Sequence, residues 1–206
     1  MLVADDHPLF RSALTVAALR AAPTAQILEA GSIAEAVDAL RAAPRLDLIL
    51  LDLRMPDAVG FSGVATLHAE APTVPIIVVS AADGEAAGAR RFGAAAFLSK
   101  AAPLASIEAT VRDALAGIRL AYPAATDDET DAMAAGIAAL TPAQLRILIA
   151  MLGGRLNKQI AHDVGSSEAT VKAHVTVILR KLGVQNRTQA VVAARALGLE
   201  AVDRAA

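Results

Sequence analysis

Cysteine is absent from the chain, so neither disulfides nor thiolate-held metal ions can brace its fold. Tryptophan is absent as well, and aromatic residues make up only 2%. The core must therefore be assembled from Leu, Ile, Val and Ala. No uncharged apolar run approaches the roughly 18 residues that a membrane helix needs. The stretch from Met1 to Phe10 carries Asp5, Asp6 and Pro8, unlike the apolar segment of a secretory signal. These absences set aside disulfide-braced secreted scaffolds, zinc-thiolate modules and membrane proteins. A cytoplasmic protein with no membrane partner is the expectation.

What the chain does have is apolar mass. Of 206 residues, 55% are hydrophobic, above the usual share, so a packed core is expected and global disorder is not. The length suits one large domain or two small ones. A formal net charge of -2 hides an uneven distribution. Residues 1–119 carry 10 Lys/Arg against 13 Asp/Glu, residues 120–139 carry 4 Asp/Glu and no Lys/Arg, and residues 140–206 carry 9 Lys/Arg against 4 Asp/Glu. A mildly acidic first part and a basic last part suggest two tasks, the second compatible with nucleic acid.

Residues 1–119 alternate short apolar runs with helical stretches. Leu2-Val3-Ala4 and residues 26–30, 46–53, 75–80 and 95–99 read as strands. Leu48-Ile49-Leu50-Leu51 and Ile76-Ile77-Val78-Val79 suit strands buried on both faces. A helix is expected over residues 8–21, with Leu9, Ala13, Val16, Ala17 and Leu19 near one side. Ser32 opens another, carrying Ala36, Val37 and Leu40, with Glu35 as its capping-box partner. Further helices are expected over 60–71, 83–92 and 103–119. This alternation implies right-handed βαβ units around a parallel sheet. Residues 120–139, with Tyr122-Pro123 and Asp127-Asp128-Glu129-Thr130-Asp131, read as a linker with some helical tendency. From Leu140 the chain reads as four helices. Thr141-Pro142 with Gln144 opens the first, and Gly153-Gly154 ends it. The second covers 157–164. Ser167 caps the third, whose buried stripe is Val171, Val175, Ile178 and Leu182, and the fourth covers 188–197.

Chemistry in a parallel sheet gathers beyond the carboxyl ends of the strands. Those ends carry Asp5-Asp6, Asp52, Ser80 and Ser99-Lys100. An aspartate at a strand end is usually a turn former, and a lone lysine is usually solvated. Here, however, Asp5, Asp6, Asp52, Ser80 and Lys100 fall in register. Carboxylates this close repel one another and call for a cation, and hard oxygen ligands suit Mg2+. A lysine, a hydroxyl and a divalent cation around one carboxylate can neutralise a phosphoryl group bound to it. The carboxylate is then the nucleophile and the product an acyl phosphate.

The motifs Ala4-Asp5-Asp6-His7-Pro8, Leu51-Asp52-Leu53-Arg54-Met55-Pro56 with Gly60, Val79-Ser80-Ala81 and Leu98-Ser99-Lys100 make residues 2 to 119 resemble the receiver domain of two-component response regulators. The resemblance implies a flavodoxin-like fold with a five-stranded parallel sheet of order 2-1-3-4-5. It makes Asp52 the phosphoacceptor and assigns Mg2+ to Asp5, Asp6, Asp52 and the backbone carbonyl of Arg54. It gives Ser80 and Lys100 to the phosphoryl oxygens, and Ser80 and Phe97 to a conformational switch. His7 reads as a surface or packing residue.

Residues 140 to 200 resemble the LuxR-type helix-turn-helix domain of NarL/FixJ-like regulators. The resemblance is carried by Leu140-Thr141-Pro142, Asn157-Lys158-Gln159-Ile160-Ala161, Ser167-Glu168-Ala169-Thr170-Val171-Lys172-Ala173-His174, Leu179-Arg180-Lys181-Leu182-Gly183-Val184 and Asn186-Arg187-Thr188-Gln189-Ala190. An all-α, four-helix domain follows from it. The outward face of the third helix fits a major groove. Lys172, then Ala173 and Thr176, are expected at base edges. Thr170, Lys158, Arg180, Lys181 and Arg187 are expected mostly at phosphates. Val191, Ala194 and Arg195 on the fourth helix form a candidate dimer surface.

The expected organisation is therefore a receiver domain over 1–119, a linker over 120–139 and a DNA-binding domain over 140–206. The expected function is transcription regulation switched by phosphorylation of Asp52. The expected partners are a sensor histidine kinase, double-stranded DNA and, in the active state, a second copy. No enzyme is expected. A haloacid-dehalogenase-type phosphatase would want a second aspartate two residues after the nucleophile, where Arg54 stands. A phosphorylation-independent regulator is the other alternative.

Overall fold

The computed structural model describes residues 1–118 and 128–201. Five strands, β1 (Leu2–Ala4), β2 (Leu28–Ala30), β3 (Ile49–Leu51), β4 (Ile76–Ser80) and β5 (Ala94–Ser99), form one sheet. Its order is β2-β1-β3-β4-β5, with every neighbouring pair parallel, as expected from the sequence. Period-two alternation explains the continuous apolar runs. Leu2, Ala4, Ile49, Leu51, Ile76 and Val78 feed one apolar cluster, while Val3, Leu48, Leu50, Ile77 and Val79 feed a second. Helices α2 (Ile33–Ala42), α3 (Ser62–Glu70) and α4 (Ala86–Arg91) cover the first face, and α1 (Pro8–Ala21) and α5 (Leu104–Leu115) the second.

Some local expectations shift. The α1 boundaries agree, but its buried residues are Leu14, Ala17 and Ala18, and Leu9, Val16 and Leu19 are exposed. A helix with apolar residues all round leaves its inner side to be chosen by the packing of α5. Ser32 accepts the Glu35 amide as predicted, but the Glu35 carboxylate accepts from the Gly31 N–H rather than from Ser32. Asp57 completes that cap by accepting from the amides of Ile33 and Ala34 at 2.8 and 2.9 Å. The stretch expected as a helix over 83–92 is a 3-10 turn, Asp83–Glu85, followed by the short α4.

Beyond the sheet come α6 (Asp128–Ala138), α7 (Pro142–Leu152), α8 (Asn157–Asp163), α9 (Glu168–Lys181) and α10 (Arg187–Ala196). The stretch read as linker thus contains a full helix, α6, whose Ala134 and Ile137 are buried. Residues 119–127, including Tyr122-Pro123 and the expected end of α5, lie outside the described residues, as do 202–206. The four helices expected after Leu140 are present, with the Thr141/Gln144 capping box formed.

The first apolar cluster continues from the sheet through Ala134 and Ile137 to Leu145, Leu148 and Ile178, so both halves share a core. At the seam Gly60 and Leu199 form an antiparallel bridge, and the Phe61 amide donates to the Gly198 carbonyl at 3.1 Å. Gly60 has φ 56°, and a Cβ there would lie 2.2 Å from that carbonyl oxygen. Left-handed backbone and close approach together demand glycine. The Phe61 ring stacks on Phe92 with centroids 5.6 Å apart. Among the described residues, no single helix is long and apolar enough to cross a membrane.

Candidate functional site

Strand register builds the acidic site. Asp5 and Asp6 follow β1, and Asp52 follows β3. Pairing of Ala4 with Leu51 sets Asp5 beside Asp52, and the Asp52 amide donates to the Ala4 carbonyl at 2.8 Å. Ser80 pairs with Ser99 across β4 and β5, and the Lys100 amide donates to the Ser80 carbonyl at 2.7 Å. The chain proceeds from β1 to β2 on one side and to β3 on the other, so these groups stand at the topological switch point.

Lys100 ties the site together. Its Nζ lies 2.7 Å from Asp5 Oδ2 and 2.7 Å from Asp52 Oδ2. Asp5 is fully buried and Asp52 is 1% exposed. Burial alone would lower the Lys100 pKa, but hydrogen bonds and Coulombic attraction to the two carboxylates outweigh it and raise it. The ammonium also sits 4.5 Å from the centroid of the Phe10 ring, a cation–π contact.

One ammonium does not satisfy three carboxylates. Asp52 Oδ1 and Asp6 Oδ1 are buried without a hydrogen-bond partner among the described residues. His7 Nδ1 approaches Asp6 Oδ1 to 2.6 Å, but without hydrogen-bond geometry. Buried, unpartnered oxygens are rare unless something else binds them. Ligand atoms from Asp5, Asp6, His7 and Asp52 all lie within 4.8 Å of one another. A mainly carboxylate donor set of this compactness fits a hard divalent cation such as Mg2+.

The remaining predicted groups surround this centre. Phe97 is half-buried against the first cluster. Ser80 is buried, and its hydroxyl donates to Glu85 Oε2 at 3.0 Å. The Arg54 side chain turns to Glu85 Oε1 at 3.2 Å. Sequence reading missed Phe10, Glu85 and Arg11, whose Nη1 donates to the Asp5 carbonyl at 2.7 Å. Phe10 and Arg11 lie one helical turn beyond Asp6, a signal that was available. Glu85 gave none, because the path of the turn after β4 decides where it points.

On the other half, α8 and α9 pack as a helix pair joined at Gly165. Val171, Ile178 and Leu182 are buried and Val175 half-buried, whereas Thr170, Lys172, Ala173, Thr176, Arg180 and, on α8, Lys158 are exposed. Lys172 lies 3.0 Å from Glu168 one turn earlier. At 65% side-chain exposure this pair is weak, so the ammonium is available to another anion. The Thr176 hydroxyl donates to the Lys172 carbonyl, which leaves mainly its methyl group for an outside contact.

Three expectations change here. Lys181 donates to the Ala139 carbonyl and to Gln144 Oε1, joining α9 to α6 and α7 instead of standing free for phosphate. Arg187 donates to Asn157 and to the Arg155 carbonyl, fixing α10 to the start of α8, and burial lowers its pKa. Ala194 is fully buried and Arg195 donates to the Leu152 carbonyl, whereas Val192 is 63% exposed. The dimer surface read on the fourth helix is therefore partly interior.

Residues 1–112 match the family described as response regulator receiver domain, and residues 138–194 match bacterial regulatory proteins of the luxR family. The glycerol metabolism activator of Pseudomonas putida is 38% identical over 94% of this chain and 94% of its own length. The DNA-binding transcriptional activator DevR/DosR of Mycobacterium tuberculosis is 33% identical over 96% and 94%. A solved structure of the RcsB response regulator of Salmonella typhimurium, 16% identical over 95% of this chain and 97% of that one, superposes with a TM-score of 0.52 and shares the fold. Two family matches in tandem, and full-length relatives above 30% identity, place this chain in the NarL/FixJ type of two-component response regulator: a receiver domain joined to a luxR-family DNA-binding domain.

Proposed function

We propose that this protein is a DNA-binding transcription regulator switched by phosphorylation of Asp52. The observation that carries the reading is Lys100 held at 2.7 Å from both Asp5 and Asp52, beside a buried Asp52 oxygen with no hydrogen-bond partner among the described residues. Asp5, Asp6, Asp52 and the backbone carbonyl of Arg54 would hold Mg2+, which supplies charge neutralisation to an incoming phosphoryl group. An oxygen of the Asp52 carboxylate attacks the phosphorus of a donor, namely a phosphohistidine on a sensor kinase. The bond from phosphorus to the donor nitrogen breaks, and the electron pair leaves with the donor. An acyl phosphate remains. Lys100 keeps its charge through the step and shifts from carboxylate to phosphoryl oxygen. Ser80 donates to another phosphoryl oxygen, and Phe97 follows Ser80 inward.

Output runs through the exposed face of α9. Lys172 is the base-reading group, with Ala173 and Thr176 beside it, and Thr170, Lys158 and Arg180 contact phosphates. Two copies bind half-sites about one helical turn apart or less, in the cytoplasm. The test is DNA affinity on promoter fragments recovered by genome-wide mapping, with and without acetyl phosphate and Mg2+. Wild type is expected to bind more tightly when phosphorylated, and Asp52→Asn to show no response. A response unchanged in Asp52→Asn overturns the reading.

A further inference from the structure

The Ser80 hydroxyl is engaged by the turn that follows β4. The hydroxyl donates to Glu85 Oε2 at 3.0 Å, and Ser80 Oγ accepts from the Ala82 amide at 3.3 Å. Glu85 is itself pinned, since Oε1 lies 3.2 Å from Arg54 Nη2. Arg54 stands two residues after Asp52, so Glu85 joins the segment after β3 to the segment after β4. It also sits in the 3-10 turn Asp83–Glu85 that leads into α4. The Glu85 side chain is 26% exposed and Ser80 is buried, so this hydrogen bond to a carboxylate is partly shielded from water and is of the stronger, charge-assisted kind.

We infer that Glu85 is a positioning residue: an internal anion that competes with the phosphoryl group on Asp52 for the single Ser80 hydroxyl. The inference rests on the reading of Asp52 as phosphoacceptor. One hydroxyl proton cannot serve two acceptors on separate segments at full strength. Ser80 bonded to Glu85 is withheld from Asp52, and Ser80 drawn to a phosphoryl oxygen must leave Glu85. The phosphorylated state is then reached only by giving up a charge-assisted bond, which sets how readily the site accepts the group.

Beryllofluoride with Mg2+, a non-covalent stand-in for the phosphoryl group, tests the competition on the full chain. Calorimetry is the readout, because the chain has no tryptophan. Glu85→Ala is expected to bind the probe roughly tenfold more tightly than wild type, the scale of one charge-assisted hydrogen bond. Glu85→Gln, which keeps an acceptor for Ser80 but not the charge, should gain only part of this. In a Ser80→Ala background, Glu85→Ala should gain nothing, because nothing is left to compete for. A gain that persists without Ser80, or equal or weaker binding by both Glu85 variants, overturns the inference while leaving Asp52 as phosphoacceptor. No binding by wild type, or equal binding by Asp52→Asn, overturns the phosphoacceptor reading and this inference with it.

Discussion

The two working surfaces of this protein are built in opposite ways. At the acidic site the charges are buried, mutually bonded and fixed by strand register, with Asp5 at 0% and Asp52 at 1% exposure. On α9 the charges stand in water: the Lys172 side chain is 65% exposed, and its ion-pair partner among the described residues is a neighbour on the same helix. Only the first surface is pre-organised at the expense of stability. Buried carboxylates repel, and the site holds together through one ammonium. The second surface is organised by whatever docks on it. Charge changes at the first should therefore alter folding, and charge changes at the second should alter binding alone.

The largest expected effect lies at the buried pair. Replacing Lys100 with Met leaves two buried carboxylates without their counter-charge. Breaking a buried pair costs about 3–5 kcal/mol, and the 17% exposure of Lys100 places this site near the lower end, about 3 kcal/mol. Urea unfolding in the presence of a chelator reads the loss, and Mg2+ should restore part of it. At the exposed surface, Lys172→Ala should weaken specific DNA binding by roughly 1–3 kcal/mol and leave the melting temperature unchanged. A stability loss comparable to that of Lys100→Met would erase the contrast.

The seam between the halves sharpens the comparison, because it belongs to neither surface. Gly60→Ala imposes a left-handed alanine, costing about 1–2 kcal/mol, against the Gly198 carbonyl. Lower stability and faster proteolysis between the halves are expected, with acetyl phosphate labelling retained. A smaller effect comes from His68, whose pKa burial lowers. The folded state then resists protonation more than the unfolded chain does, so its stability holds above the unfolded pKa, near about 6.5, and falls as pH drops below it. His68→Gln should flatten the fall in stability just below about pH 6.5, and an unchanged slope would show that burial of His68 is not the cause.

The same contrast explains what the sequence made legible. Asp5, Asp6, Asp52, Ser80 and Lys100 could be grouped because parallel register forces residues at strand ends to one edge, whatever the loops do. The alternation of short apolar runs and helical stretches marks the strands and helices of the first half, whereas the sheet order followed from the resemblance to receiver domains. Glu85 could not be found this way, since a residue in a turn points where the turn takes it. The buried side of α1 failed for a related reason: with Leu9, Val16 and Leu19 opposite Leu14, Ala17 and Ala18, only the position of α5 selects a face. Lys181 and Arg187 carry the same charge as Lys172 and Arg180. Their neighbours Ala139, Gln144 and Arg155 come from distant parts of the chain, so their intrachain bonds were not readable from local pattern.

The central claim is that a single carboxylate, Asp52, takes up the phosphoryl group. Intact mass after incubation with acetyl phosphate and Mg2+ measures it most directly. The account predicts the mass of one phosphoryl group added to wild type and none added to Asp52→Asn. An unmodified wild type, or equal modification of both proteins, would contradict it.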